Sequence, residues 1–193
     1  MNNVHIESEP TQCLADSDLV RAIRSGDRLA LEHLYLRYYP RLERLLAMVM
    51  GNRHKMEDVI NETFLTVWTR AKNFQPGSAV STWVVAVACR LAMQSSRGES
   101  PTSSEQHPER RCTEMTGPVR ALGLGNRLTS ALIRLPVEQR MTLCLAYQQG
   151  LSVEEISEVT QSTVETVQLR MSLARIQMRD AVAEAWRREE HGE

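Results

Sequence analysis

The stretch from Met56 to Ala88, MEDVINETFLTVWTRAKNFQPGSAVSTWVVAVA, decides the fold of this chain. Its first half sets Val59, Ile60, Thr63, Phe64, Val67 and Trp68 on one side at helical spacing and leaves Asp58, Asn61, Glu62 and Leu65 toward the other. This predicts an amphipathic helix from Glu57 to Ala71. A loop holding a proline and a glycine, Gln75 to Ser81, feeds a second apolar segment. Its β-branched cluster VSTWVVAV sits inside a helical aromatic pattern, so almost no sheet is expected.

Toward the N-terminus, the first residues are polar and without period, and a helical stretch starts at Asp16 or Ser17 with Leu19, Val20 and Ile23. Ser25 to Asp27 reads as a turn. Ala30 to Met50 then carries Leu31, Leu34, Tyr35, Tyr38, Leu42, Leu45, Leu46 and Val49 at helical spacing, with Pro40 expected to bend it and GNRHK to end it. Toward the C-terminus, the composition turns to Ser, Pro, Glu and Gly from Arg97 to about Leu124. Helical patterning returns from Asn126 to Trp186, broken at Leu135-Pro136 and at Gly150 to Ser152, which predicts four short helices. The expected architecture is all-α: an arm over 1–15, a helical domain over 16–97, a flexible linker over 98–125, a second helical domain over 126–186, and a tail over 187–193.

Charge is balanced, with 23 Lys and Arg against 24 Asp and Glu, so the chain lacks the basic excess of a protein that grips DNA unaided. The cysteines (Cys13, Cys89, Cys112 and Cys144) form no CxxC pair, which predicts reduced thiols, and the apolar runs around Cys89 and Cys144 predict that both are packed inside. The histidines lack metal-ligand spacing, and neither a phosphate-binding glycine loop nor a nucleophile elbow occurs. No catalytic residue, metal or cofactor is expected. The longest apolar runs, LLAMVM and WVVAVAC, fall far short of the roughly 20 residues that cross a bilayer, and the start of the chain lacks a basic-then-apolar signal. A soluble, cytoplasmic protein without membrane insertion is therefore expected.

The segment EDVINETFLTVW resembles the polymerase-binding helix of extracytoplasmic-function sigma factors, with Asn61 where that family usually has glutamine. Spacing alone also fits a solvated helix face with carboxylates near the positive end of its dipole. The resemblance implies instead docking onto the clamp coiled coil of core RNA polymerase through Asp58, Asn61 and Glu62, with Leu65 beside them. The next segment, NFQPGSAVSTWVVAVACRLAMQSSR, is similar to the loop and helix that capture and melt the minus-ten promoter element, the match resting on Phe74, Pro76, Gly77, Thr82 and Trp83. It implies promoter contacts from Gln75, Pro76, Gly77, Ser78, Ala79, Val80, Ser81 and Arg90. Trp83 reads better as core packing than as a base contact. The chain departs from the family where Val80 replaces an aromatic, Cys89-Arg90 replace Arg-Asn, and Gln94 replaces aspartate.

In the C-terminal half, GLSVEEISEVTQSTVETVQLRMSLARIQMRD resembles the helix-turn-helix of sigma region four, whose second helix enters the major groove at the minus-thirty-five element. Ser152 with Glu155, and Ser162 with Glu165, have capping-box spacing. Along the second helix, Val164, Val167, Met171, Ala174 and Met178 share a core face, and Glu165, Gln168, Ser172, Arg175 and Arg179 an outer one. Gln168 suits an adenine edge, and Arg170, Arg175 and Arg179 suit phosphate or guanine, whereas a glutamate at the helix start repels phosphate. The resemblance implies DNA contacts from Thr163, Thr166, Gln168, Leu169, Arg170, Ser172 and Arg175. Gln161 stands where the family commonly has a left-handed glycine, so a differently shaped turn is expected. A further stripe, Leu169, Leu173 and Ile176, is either covered by neighbouring helices or offered to a partner, for which the family implies an anti-sigma factor.

Together these resemblances imply an initiation factor that binds core polymerase and reads promoter elements at minus ten and minus thirty-five, with all chemistry left to the polymerase. The departures keep open a sigma-like helix-turn-helix regulator that does not open promoters. A protein-binding adaptor is a third reading.

Overall fold

The computed structural model describes residues 14–50, 52–75, 79–97 and 126–190, and every described element is helical. The arm up to Cys13, the 98–125 linker, Pro76, Gly77, Ser78 and the last three residues lie outside the described residues.

Four helices build the N-terminal half: α1 (Asp16–Arg24), α2 (Arg28–Met50), α3 (Arg53–Arg70) and α4 (Val80–Arg97), with a 3-10 turn over Ala71–Asn73. Helix α1 ends at Ser25-Gly26, where Gly26 takes a φ of 90° that a side chain would strain. Asp27 then accepts from the amides of Leu29 and Ala30, capping α2. Helix α2 runs through Pro40 as one continuous element; Pro40 is exposed, and its carbonyl accepts from Arg44 Nε at 3.1 Å. Helix α3 starts a turn earlier than expected because Asn52 caps it, accepting from Lys55 N at 3.1 Å, so only Gly51 and Asn52 separate it from α2. Asp16 pins the start of α1 to α2, accepting from Arg37 and from the Tyr38 hydroxyl. Burial and that carboxylate together push the Tyr38 pKa well above the usual phenol range.

The C-terminal half holds α5 (Asn126–Arg134), α6 (Val137–Gln148), α7 (Val153–Thr160) and α8 (Val164–Glu190). The breaks fall where expected, but α8 has 27 residues and is not short. In α8 the apolar period continues past Ala174 to Met178 with no glycine or proline to stop it.

Each half packs its own helices, α1 to α4 around Leu34, Leu42, Leu45, Ile60 and Val84, and α5 to α8 around Met141, Leu145, Ile156 and Val167, all fully buried. The halves also meet. Helix α2 lies against α6, and α4 against α7, so one apolar core runs across the seam. Arg41 Nε donates to Gln149 Oε1 over that seam. Met48, Leu132, Leu143, Cys144 and Met178 line an apolar cavity of about 310 Å³ there, beside Tyr147 and Arg175. Cys89 and Cys144 are free and buried, and the loss of hydration raises both thiols, Cys144 to about 12.

Candidate protein and nucleic-acid interfaces

Helix α3 divides its residues cleanly. Met56, Val59, Ile60, Thr63, Phe64 and Val67 are buried, Thr63 satisfying its hydroxyl on the Val59 carbonyl at 2.7 Å. Phe64 packs against Tyr35 with ring centroids 4.7 Å apart. Asp58, Asn61 and Glu62 face solvent beside Leu65, which is 55% exposed. A large apolar side chain thus stands in solvent flanked by two carboxylates and an amide, a combination chemically complementary to basic and apolar groups.

The loop-and-helix segment after α3 is organised by aromatics. Phe74 is buried against Trp83, ring centroids 4.9 Å apart, so both act as packing that fixes the entry of α4. Of the residues expected at DNA, Gln75 and Ala79 are exposed, and Ser81 is half-buried. Val80 is only 6% exposed and packs inward, which removes it from the contacting set. Arg90 is half-buried and donates to the Ala86 carbonyl at 3.2 Å. Gln75, Ala79, Thr82, Trp83 and Arg90 line one side of a cleft of about 540 Å³, whose other side is Glu155, Glu158 and Val159 of α7.

The helix-turn-helix is built by α7 and α8. Ser152 and Glu155 form the expected capping box, with bonds of 3.2 Å to the Glu155 amide and 2.8 Å from the Ser152 amide. The second expected box does not form. Thr163, not Ser162, caps α8, its hydroxyl accepting from Thr166 N at 3.2 Å, while Ser157 donates to the Ser162 carbonyl. The turn also keeps the left-handed shape that Gln161 was expected to change, with Gln161 at φ 52° and ψ 43°. Its amide and the next reach back to Glu158 and Ser157 carbonyls and hold the residue there.

On α8, Val167 and Ala174 are buried and Val164, Met171 and Met178 half-buried, as the core face requires. Thr163, Gln168, Ser172 and Arg175 are exposed and Thr166 half-buried. Arg170 is also half-buried and donates to Ser162 Oγ at 2.9 Å, so its guanidinium braces the turn. Arg175 rests over the Tyr147 ring, 5.9 Å from its centroid, and donates to the Tyr147 hydroxyl at 3.1 Å. Nothing in the spacing of Tyr147 marked it as that support. The free amide at the helix start, with the Thr163 hydroxyl, holds the Glu165 carboxyl below its ordinary pKa. Leu169, Leu173 and Ile176 are 59%, 40% and 48% exposed, and no described helix covers them.

Among the described residues, no group of three or more His, Cys, Asp or Glu is placed to hold a metal ion, and no helix is long and apolar enough to cross a membrane.

Two family models match the chain in order: sigma-70 region 2 over residues 34–102 and sigma-70 region 4 over 125–178. The ECF RNA polymerase sigma factor SigE of Mycolicibacterium smegmatis is 32% identical over 168 residues, a match covering 82% of this chain and 65% of that protein. The RNA polymerase sigma-H factor of Pseudomonas aeruginosa is 28% identical over 173 residues, covering 83% of this chain and 90% of that factor. In fold, the chain is similar to CnrH, solved in complex with the cytosolic domain of CnrY (TM-score 0.64, 20% identity, 88% of this chain and 97% of that one). It is also similar to a chain of the complex between the sigma factor RpoE and the anti-sigma factor NepR from Bartonella quintana (TM-score 0.59, 17% identity, 79% and 96%). With a region 2 match on the half that carries α3 and α4, and a region 4 match on the half that carries the helix-turn-helix, the chain belongs to the sigma-70 family of RNA polymerase sigma factors, in its extracytoplasmic-function group.

Proposed function

We propose that this chain is a dissociable initiation factor that docks on core RNA polymerase through Asp58, Asn61, Glu62 and Leu65, engages the minus-ten element with the Gln75 to Ser81 loop and α4, and reads the minus-thirty-five element with α8. The observation that carries this is the division of α3: six buried residues hold the helix, and the outward acidic face around Leu65 has no packing task. Members of this family are not enzymes, and the proposal asks no chemistry of the chain. It also accounts for the near-zero net charge, because the polymerase supplies most of the nonspecific grip on DNA.

At the minus-thirty-five element, Gln168 would read a base edge while Arg175, steadied by Tyr147, would contact phosphate. Thr163 and Ser172 are exposed on the same helix and extend that face. The stripe of Leu169, Leu173 and Ile176 suits a protein partner, and an anti-sigma factor is the partner proposed for it; RpoE of Bartonella quintana was solved with one.

The test is reconstitution. Purified chain is mixed with bacterial core polymerase, co-migration is measured on a sizing column, and transcription is assayed on a library of genomic DNA fragments from the host. Co-migration with promoter-dependent transcript supports the proposal, and Asp58→Lys with Glu62→Lys removes both. Stable promoter binding with core polymerase but no transcript would favour the regulator that cannot open promoters. Val80 and Cys89, two of the departures behind that second reading, are buried, so they bear on packing and leave Arg90 and Gln94 as the departures nearer the surface.

A further inference from the structure

Four helices converge on the apolar cavity of about 310 Å³: α2 gives Met48, α5 gives Leu128 and Leu132, α6 gives Leu143 and Cys144, and α8 gives Met178. Folded interiors seldom keep a void of this size, which lies at the lower end of the range for small-molecule sites. A cavity of about 150 Å³ lined by apolar side chains holds one benzene ring, so by proportion this one has room for about 10–12 carbons.

The rest of the lining is polar: Tyr147, Gln148 and Arg175. Tyr147 is 68% exposed and Arg175 is exposed as well, so this pair stands at the mouth. The bond from Arg175 Nε to the Tyr147 hydroxyl uses one of five guanidinium N–H groups and leaves the hydroxyl proton to be donated. Among the described residues, Arg175 is the only charged group in the lining, and no carboxylate pairs with it. Gln148 Oε1 is buried with no hydrogen-bond partner, a condition that folded proteins rarely leave uncompensated. Half a turn of that amide sets an N–H donor at the same point. A hydrocarbon-sized void with a cation, a hydroxyl and an orphaned amide on its lining has the form of a site for an amphiphile with an anionic head.

We propose that this cavity binds an aliphatic carboxylate of about 10–12 carbons, its chain among Met48, Leu132, Leu143 and Met178 and its carboxylate accepting from Arg175, Tyr147 and Gln148. A cationic head would be repelled by Arg175, and a plain hydrocarbon would leave the Gln148 amide unsatisfied. Arg175 is also the guanidinium proposed above for a phosphate at the minus-thirty-five element. On that reading, a bound carboxylate takes the place of the phosphate, and the ligand lowers promoter affinity.

The test titrates decanoate, below its micelle concentration, into the full chain carrying methyl-labelled methionine. The Met48 and Met178 methyl signals should shift saturably in NMR spectra, while Met56, buried but not part of the lining, stays in place. Each methylene added from hexanoate to decanoate should tighten binding by about fourfold. Arg175→Gln, and Leu128→Trp at the partly exposed rim, should each weaken decanoate binding at least tenfold, and decyltrimethylammonium should bind at least tenfold more weakly than decanoate. Leu173→Asp should leave the affinity unchanged, which separates the cavity from the exposed stripe of α8. No saturable shift at Met48 and Met178, equal binding of the cationic amphiphile, or full affinity in both Arg175→Gln and Leu128→Trp would overturn the proposal. In the transcription assay above, saturating decanoate should cut the transcript at least threefold, and butanoate should not. Full transcript with both methyl signals shifted would overturn the competition at Arg175. Failure of the ligand-free chain to give transcript would instead sink the functional proposal, while the methyl shifts would still decide the site.

Discussion

Helix α3 hides Met56, Val59, Ile60, Thr63, Phe64 and Val67 and turns Asp58, Asn61 and Glu62 outward, whereas α8, with 27 residues, fully hides only Val167 and Ala174 among those described and leaves Leu169, Leu173 and Ile176 in solvent. In α3 the stripe needed for folding and the residues offered to a partner are separate sets. In α8 the exposed set includes an apolar stripe beside its polar residues, and that stripe is not explained by the core of its own half. A buried stripe explains why a helix exists; what remains outside it is the better guide to what the helix binds.

The widest gap should appear within α3. Ile60→Ala deletes a fully buried side chain among residues that cannot collapse around it, and should cost about 2–5 kcal/mol in urea unfolding. Asp58→Lys with Glu62→Lys alters only exposed positions and should change stability by about 0.5 kcal/mol or less per site. The same charge reversal should weaken retention of core polymerase at least tenfold, about 1.4 kcal/mol or more of binding free energy. If the reversal unfolded the protein, or if the retained complex were unchanged, the division of labour on α3 would be refuted.

The matching experiment on α8 is Leu173→Asp. An exposed helical leucine replaced by aspartate should cost only about 0.5 kcal/mol of helix propensity, read as a small shift of the unfolding midpoint. A regulator captured through this stripe should lose affinity at least tenfold in a titration. Unchanged affinity would leave the stripe without a partner and remove the proposed anti-sigma contact.

How far the sequence carried these two helices differs for a physical reason. The faces of α3 follow from period alone, because Ile60, Phe64 and Val67 are about one turn apart and Asp58 and Glu62 fall on the other side of the helix. The all-α class, the turn at Gly26 and the capping box at Ser152 were readable in the same local way. What escaped depended on geometry that period does not encode. Val80 and Arg170 have residue types suited to an interface, yet one packs inward and the other braces Ser162. Between the adjacent hydroxyls Ser162 and Thr163, the cap is chosen by the left-handed residue just before them, which fixes where α8 begins. The meeting of α4 with α7 involves Glu158 and Arg90, residues of ordinary surface character whose approach only the tertiary arrangement creates.

The start of α8 offers a smaller, sharper test. Thr163→Ala removes the hydroxyl that caps Thr166 N and should cost about 1 kcal/mol in thermal unfolding. The same change removes one of the two hydrogen bonds that depress the Glu165 pKa, so that pKa should rise toward its ordinary value in an NMR titration. A carboxyl with a depressed folded pKa adds stability above its unfolded pKa and loses it as pH falls through the folded one. The variant should therefore show a weaker fall of stability on the acid side of the carboxylate range. No change in the Glu165 titration would mean that the bond is not kept in solution.

Gln161→Gly should give the smallest shift, and its sign is informative. A side chain at φ 52° costs roughly 1–2 kcal/mol that glycine would not incur. Glycine, however, adds about 0.4–1 kcal/mol of unfolded-chain entropy. Because Gln161 is exposed, little packing is lost, and the balance is a stabilisation of about 0.5 kcal/mol, measurable as a higher urea midpoint with an unchanged slope. A stabilised variant that still binds promoter would show that the turn tolerates glutamine without using it. A destabilised one would mean that the glutamine side chain itself contributes to the turn, and that α7 and α8 are joined by more than the two amides reaching back to Glu158 and Ser157.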